Sequence, residues 1–203
     1  TGSIEFKQEI VKPGDNVLIW GAGGGLGIFA VQLCKVMGAN PIAVVSNKEK
    51  EALVRELGAQ WVIDRKEFDF SQGVAVSKAF GARIRAITGG YDPDIVFEHV
   101  GKETFPTSVL VAKRFGKIVI CGATSGYDLT FDVRYLWMRQ KQIIGSHFCN
   151  SYQAQRANRL VIEKKVRPVL GRIFSFEETP LAHQLMADNQ HKGKMAIRVQ
   201  APA

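Results

Sequence analysis

Apolar residues fall along this chain in two alternating rhythms. Short runs with few polar interruptions alternate with segments in which apolar side chains recur every three to four positions, a combination that predicts parallel strands covered by helices. Pro13-Gly14-Asp15 is a turn signal, and Asn16 to Trp20 then reads as a buried strand. After a glycine cluster, Leu26, Phe29, Ala30, Leu33 and Met37 keep to one helical face, and Gly38 stops that helix. The same reading gives strands over 41–46, 61–64, 95–98, 117–121 and 143–146, and helices over 48–57, 76–88, 103–112 and 153–164. Residues 66–75 show no period and read as a loop. These elements predict an α/β domain over residues 13–166, a doubly wound parallel sheet with helices on both faces.

After Val166 the rhythm changes. Residues 167–176 are extended and broken by Pro168 and Gly171, and Ser175 and Glu178 have capping-box spacing for a short helix over 179–189. A last strand is expected over 193–199. This tail does not continue the alternation, so it is expected to pack on something other than the predicted sheet.

Composition narrows the picture. At 203 residues the chain is one large domain, or one domain with an appendage. With 46% apolar and 23% charged residues, a disordered or fibrous protein is excluded. No run approaches the ~18 apolar residues of a membrane span. Residues 1–12 lack the apolar block of a secretory signal, and a first residue that is Thr suggests a processed or excised piece. Lys and Arg total 27 against 19 Asp and Glu, a net charge of +8 that favours polyanionic partners. The cations are spread among acids, which favours small phosphate-bearing ligands and argues against nucleic acid and membrane partners. Cys34, Cys121 and Cys149 are odd in number and far apart, so neither a disulfide framework nor a metal site is expected, and a cytoplasmic location fits best.

The glycine cluster carries the clearest chemistry. Gly21-Ala22-Gly23-Gly24-Gly25-Leu26-Gly27 lies between a predicted strand and an amphipathic helix, the context of a dinucleotide-binding turn. Such a turn brings backbone amides up to a pyrophosphate at a helix N-terminus, and a Cβ at the closest positions would block it. With Gly24 and Gly27 as second and third glycines the first falls on Ala22, giving A-x-G-x-x-G. The alternatives are a turn that serves helix-to-strand packing alone, or a methyltransferase loop.

The end of the second strand bears on which dinucleotide. Sites for NAD place an acid about 20 residues on, against the ribose hydroxyls. Here the sequence is Val45-Ser46-Asn47-Lys48, with Lys50 nearby and Arg65 after the third strand. An acid that would repel a 2′-phosphate is missing and cations stand where they would attract one, so NADPH is the expected cofactor. Lys48 and Lys50 read equally as a solvated helix face. Phe97-Glu98-His99-Val100-Gly101 ends the fourth strand, which would aim His99 at the nicotinamide end of the crevice, although a lone histidine is more often structural. Asn189-Gln190-His191-Lys192 reads as a solvated helix end.

Together, Gly14 to Gly27, Ile95 to His99, Tyr135 to Asn150 and Asn189 to Pro202 resemble the cofactor-binding half of the medium-chain dehydrogenase/reductase superfamily. They are most specifically similar to crotonyl-CoA carboxylase/reductases, over nearly the whole chain. The resemblance implies a Rossmann-like NADPH domain at 13–166, a linker from an N-terminal domain at 1–12, and a segment at 167–203 returning to that catalytic domain. It also implies a reaction: NADPH reduces an α,β-unsaturated acyl-CoA at its β-carbon, and the enolate attacks CO2 to give an alkylmalonyl-CoA. His99 matches the CO2-site histidine, a donor aimed at an oxygen that gains charge in the transition state. Gly24, Gly25, Leu26 and Gly27 match the pyrophosphate site, and Ser46, Lys50 and Arg65 match positions around the 2′-phosphate. Cys121, Gly122, Ala123 and Thr124, with His147 and Phe148, would line the nicotinamide side. A homo-oligomer, dimer or tetramer, is implied as well.

Some positions depart from the family pattern. Val100 replaces a proline, Gly23 stands where serine is common, and the segment 68–80 is shorter than in long members, which bears on oligomer contacts. The family's N-terminal substrate domain, source of an Asn and a Glu at the CO2 site, is not in this sequence, so the chain alone is expected to bind NADPH without turnover. The competing readings are a plain enoyl-CoA or quinone reductase that protonates the enolate, and a non-catalytic nucleotide- or RNA-binding module.

Overall fold

The computed structural model describes residues 11–199, so most of the expected 1–12 linker and residues 200–203 of the tail lie outside the described residues. Six strands, β1 (Asn16–Ile19), β2 (Asn40–Val45), β3 (Trp61–Asp64), β4 (Ile95–Glu98), β5 (Lys117–Ile120) and β6 (Gln142–Gly145), form one parallel sheet in the order β3-β2-β1-β4-β5-β6. Helices α1 (Gly27–Val36), α2 (Lys48–Glu56), α3 (Val74–Thr88), α4 (Phe105–Val111), α5 (Arg134–Trp137) and α6 (Ser151–Ile162) connect or follow them. The doubly wound class expected from the sequence is therefore present. The expected loop over 66–75 contains two single-turn 3-10 segments, and the short α5 precedes β6.

Alternation in β1 explains the two cores. Val17 and Ile19 point to one face, where they pack with Ile28 and Val31 of α1 and Val54 of α2. Leu18 and the following Trp20 point to the other, among Phe80 and Ile84 of α3 and Phe105 and Val109 of α4. All four residues of β1 are buried, as expected of a central strand covered on both sides. The chain order reverses between β1 and β4, and at such a switch point the connections diverge and leave a crevice beyond the strand ends.

The tail folds back beside this crevice. β7 (Leu170–Ser175) and β8 (Lys194–Arg198) pair with each other in parallel, apart from the large sheet, and α7 (Thr179–Ala187) joins them. The reciprocal Ser175 and Glu178 bonds foreseen for a capping box form just before α7, at 2.9 and 3.3 Å. The buried Gln32 of α1 grips the start of the tail. Its Nε2 donates to the Arg167 carbonyl at 3.0 Å, and the Arg167 amide donates to its Oε1 at 2.9 Å.

Lys141, in the stretch from Tyr135 to Phe148 that is dense in aromatic and basic residues, is buried. Its ammonium donates to the carbonyls of Val109 and Leu110 at 2.6 and 3.0 Å, satisfying the C-terminal end of α4. Burial, with the nearby Arg139, lowers its pKa to about 8. The unfolded chain then holds this proton more tightly than the folded one, so the contribution of Lys141 to stability rises as pH climbs from about 8 towards 10.5. Relative to Lys141→Met, the wild-type chain should gain about 1 kcal/mol between pH 7 and pH 9 in urea unfolding; parallel profiles would refute this account of the lysine. The buried Cys34, whose thiol burial pushes up to about 12, acts oppositely above pH 9 but is common to both proteins.

Candidate functional site

The β1–α1 turn is built on close approach. A Cβ on Gly27 would lie 2.4 Å from the Gly21 carbonyl oxygen and from the Ala22 Cα, backbone atoms that cannot move aside. Gly21 has φ +55 and packs against the His99 ring, where a Cβ would lie 2.9 Å from Cε1. The Gly24 amide turns back to the Gly21 carbonyl at 2.9 Å. The amides of Gly25 and Leu26, by contrast, have no hydrogen bond among the described residues and open at the N-terminus of α1.

These residues border a cleft of about 800 Å³ along the carboxyl ends of β1, β2 and β4. Of the residues proposed from the sequence, Gly24, Gly25, Leu26, Ser46, Lys50, Arg65, His99 and Thr124 line it. Gly27 lies buried under the turn. Cys121, Gly122 and Ala123 stand behind His99: the Cys121 amide donates to the Glu98 carbonyl at 3.1 Å, and a Cβ on Gly101 would meet Ala123 at 2.8 Å. His147 and Phe148 are not brought to the cleft. They follow β6, are exposed, and pack on each other with ring centroids 3.8 Å apart.

The two lysines at the start of α2 part company. Lys48 is exposed and pairs with Glu51 at 3.0 Å. Lys50 is buried in the cleft wall, its pKa lowered chiefly by that burial, and donates to Asn189 Oδ1 at 2.6 Å and to the Asn189 carbonyl at 3.2 Å. Arg65 pairs with Glu103 at 2.9 Å. His99 Nε2 lies 2.8 Å from the Trp20 carbonyl. A carbonyl only accepts, so Nε2 carries the proton and Nδ1 is the nitrogen left for a ligand.

The wall that sequence reasoning missed comes from the tail. Met186, Asn189, His191, Gly193 and Lys194 line the same cleft, and the Gly193 amide donates to the Gly23 carbonyl at 3.0 Å. Asn189 and Gln190 are exposed at the end of α7, as read from the sequence, yet Asn189 and His191 also line the cleft. A clue lay in the adjacent Gly193-Lys194: Gly193 has φ +59, and a Cβ there would lie 2.5 Å from the Val169 carbonyl oxygen. The Lys194 ammonium sits beside Gly25 and 5.9 Å from the Phe29 ring centroid. His191 Nδ1 is buried with no hydrogen-bond partner among the described residues, and burial foremost, then the Lys50 charge, lowers the pKa of its ring.

Comparison with known proteins shows the family. A model described as zinc-binding dehydrogenase matches residues 25–163. The chain belongs to that family. The resemblance to crotonyl-CoA carboxylase/reductases also holds: the chain is 47% identical to the crotonyl-CoA carboxylase/reductase of Cereibacter sphaeroides, across 97% of its own length and 49% of that relative. Among solved structures it is similar to a crotonyl-CoA carboxylase/reductase in complex with NADP, with TM-score 0.88 and 44% identity over 95% of this chain and 51% of that one. It is similar too to a 2-octenoyl-CoA carboxylase reductase from a complex with NADP and 2-octenoyl-CoA, with TM-score 0.88 and 42% identity over 95% of this chain and 45% of that one. The chain spans about half the length of the curated relatives it matches. Despite the family's description, no group of three or more His, Cys, Asp or Glu suited to a metal exists among the described residues.

The glycines differ in what they permit. Gly27→Ala should destabilise the fold by about 2 kcal/mol, because overpacking against fixed backbone costs of order 1–3 kcal/mol. Gly24→Ala, whose Cβ would meet only the Gly21 carbonyl oxygen at 3.3 Å, should cost clearly less. Thermal unfolding of the two variants checks the order, and equal losses would contradict it.

Proposed function

We propose that this chain is the NADPH-binding part of a reductive carboxylase that converts an α,β-unsaturated acyl-CoA of the crotonyl-CoA type, with CO2, to an alkylmalonyl-CoA. One observation carries the reading: a single cleft gathers the glycine turn, a cation at the start of α2 and another at the end of β3, and a histidine at the end of β4. The likeness to carboxylase/reductases across 97% of the chain supports it.

The residues present fit NADPH. A volume of about 800 Å³ is in the range of cofactor clefts. The amides of Gly25 and Leu26, with the N-terminus of α1 behind them, suit a pyrophosphate, and Gly24 serves close approach while its own amide is engaged. Lys194, beside Gly25, adds a cation there. Ser46, Lys50 and Arg65 suit the 2′-phosphate. Lys50 has one N–H beyond the two that Asn189 holds, whereas Arg65 must share its guanidinium with Glu103. The orphaned His191 Nδ1 offers a further polar contact.

When bound, NADPH supplies the hydride that reduces the enoyl thioester at its β-carbon, generating the enolate that attacks CO2. The chain's own part is to orient and to exclude protons that would quench the enolate. His99 is the proposed CO2-site residue. With Nε2 donating to the Trp20 carbonyl, the ring turns its Nδ1 edge to the cleft, the edge proposed to face CO2. Thr124 borders the nicotinamide side, with Cys121, Gly122 and Ala123 as its support.

The other half of the reading concerns what lies beyond this chain. We take residues 13–166 as the cofactor domain and 167–203 as the segment that returns to the substrate domain. Leu170, Ile173, Phe176 and Leu181 of the tail are large and exposed, which supports a partner surface there. Ile143 on β6, the last strand of the described sheet, is 40% exposed, which supports assembly with further copies. No described helix is long and apolar enough to cross a membrane.

Calorimetric titration of the chain should find NADPH bound at least about tenfold tighter than NADH, since a charge-assisted phosphate contact contributes roughly 1.5–3 kcal/mol. Lys50→Ala should erase most of that preference with little effect on NADH. Equal affinities, or tight RNA binding instead, would defeat the proposal. Assayed in the complete enzyme with an enoyl-CoA and NADPH, a product unaffected by bicarbonate would favour a plain reductase.

A further inference from the structure

Glu98 is fully buried at the end of β4 and is held by neutral donors alone. The amides of Val100 and Gly101 donate to Oε1 at 2.8 and 3.1 Å. The Thr104 hydroxyl lies 2.9 and 3.0 Å from the two oxygens, and the Ser108 hydroxyl donates to Oε2 at 2.6 Å. Such a set satisfies an ionised carboxylate. Burying one is still expensive, and an apolar residue would serve packing as well. The position of this group suggests what it does instead.

Ser108 in turn accepts from the Trp20 indole Nε1 at 2.8 Å, and the Trp20 carbonyl accepts from His99 Nε2 at 2.8 Å. His99 is bonded to Glu98 through the chain, so the bonds close a circuit: Glu98, Ser108, Trp20, His99 and back to Glu98. One arm fixes the backbone immediately after His99, at Val100 and Gly101. The other fixes the residue whose carbonyl selects the protonated ring nitrogen.

We propose that Glu98 is a positioning residue for His99, acting through Ser108 and Trp20 to hold the ring as the Nε2–H tautomer with Nδ1 offered to the cleft. The consequence for catalysis rests on the reading of His99 given above, while the tautomer itself does not. In the absence of the carboxylate, Ser108 would lose the acceptor that orients its hydroxyl towards Glu98 and its lone pair towards the indole. The Trp20 indole would then be held by packing on Phe70 and Phe80 and its amide by the Phe97 carbonyl, with no polar anchor on Nε1, and the histidine would be free to exchange tautomers.

The test is histidine nitrogen NMR on the 203-residue chain, comparing wild type with Glu98→Gln and Ser108→Ala. Ser108→Ala breaks the circuit yet leaves Glu98 three donors, so it stays informative if Glu98→Gln fails to fold. Thr88→Val serves as a control: it removes buried hydrogen bonds to Ile84 and Tyr91, remote from the circuit. The wild type and the control should show a single Nε2–H form of His99, and the circuit variants a mixture. A folded Ser108→Ala chain with an unchanged tautomer would overturn the proposal, as would an equal change in the control. In the complete enzyme, the ratio of carboxylated to merely reduced product should fall about tenfold in Ser108→Ala, as misorientation of a reacting group costs one to two orders of magnitude. A tautomer mixture with an unchanged product ratio would uphold the positioning role and sink the CO2 role of His99.

Discussion

The close approach of α1 to the end of β1 at Gly27 is the constraint from which the rest of the cleft follows. With no room for a Cβ between Gly27 and the Gly21 carbonyl, the helix starts immediately over the strand end, and its first amides open into the crevice. Gly21, forced to positive φ, presses on His99 and so ties the β1 turn to the β4 turn. Gly23 offers its carbonyl to Gly193, which brings the tail over the same turn. One tight turn therefore sets three walls.

Electrostatics in this cleft is arranged by restraint of the cations more than by their number. Many of the 27 Lys and Arg side chains sit in surface pairs such as Lys48 with Glu51 and Lys192 with Glu49, each of little consequence for stability. Lys50 is different because burial and Asn189 hold its ammonium in the cleft wall. An arriving phosphate meets a charge whose conformational entropy has already been lost, which is the physical meaning of a preorganised site. Lys194, exposed at the start of β8, reaches beside Gly25 of the glycine turn, and the parallel pairing of β7 and β8 sets its place.

Much of this was legible in the sequence, and what escaped did so for definable reasons. The six strands of the main sheet were readable within a residue or so because runs such as Val17 to Trp20 and Pro41 to Val45 are buried on both faces and have no amphipathic ambiguity. The glycine turn, Lys50 and His99 were readable because their chemistry is tied to strand ends. The tail's wall was hidden: nothing in Asn189-Gln190-His191-Lys192 distinguishes a solvated helix end from a loop laid across a crevice, since the deciding bond is between backbone groups 170 positions apart, Gly193 to Gly23. The Glu98 circuit was hidden for the same reason. Thr104, Ser108 and Trp20 look like ordinary helix and strand residues until β1, β4 and α4 are packed together. His147 and Phe148, which the family pattern suggested for the nicotinamide side, follow β6 and are not among the residues that line the cleft.

The central claim is that the glycine turn and the returning tail together enclose one cofactor. Hydrogen exchange of the chain with and without NADPH tests it most directly. The account predicts that residues 21–27 and 189–195 gain protection together, with comparable saturation. Protection of 21–27 alone, with the tail exchanging as in the free chain, would contradict it.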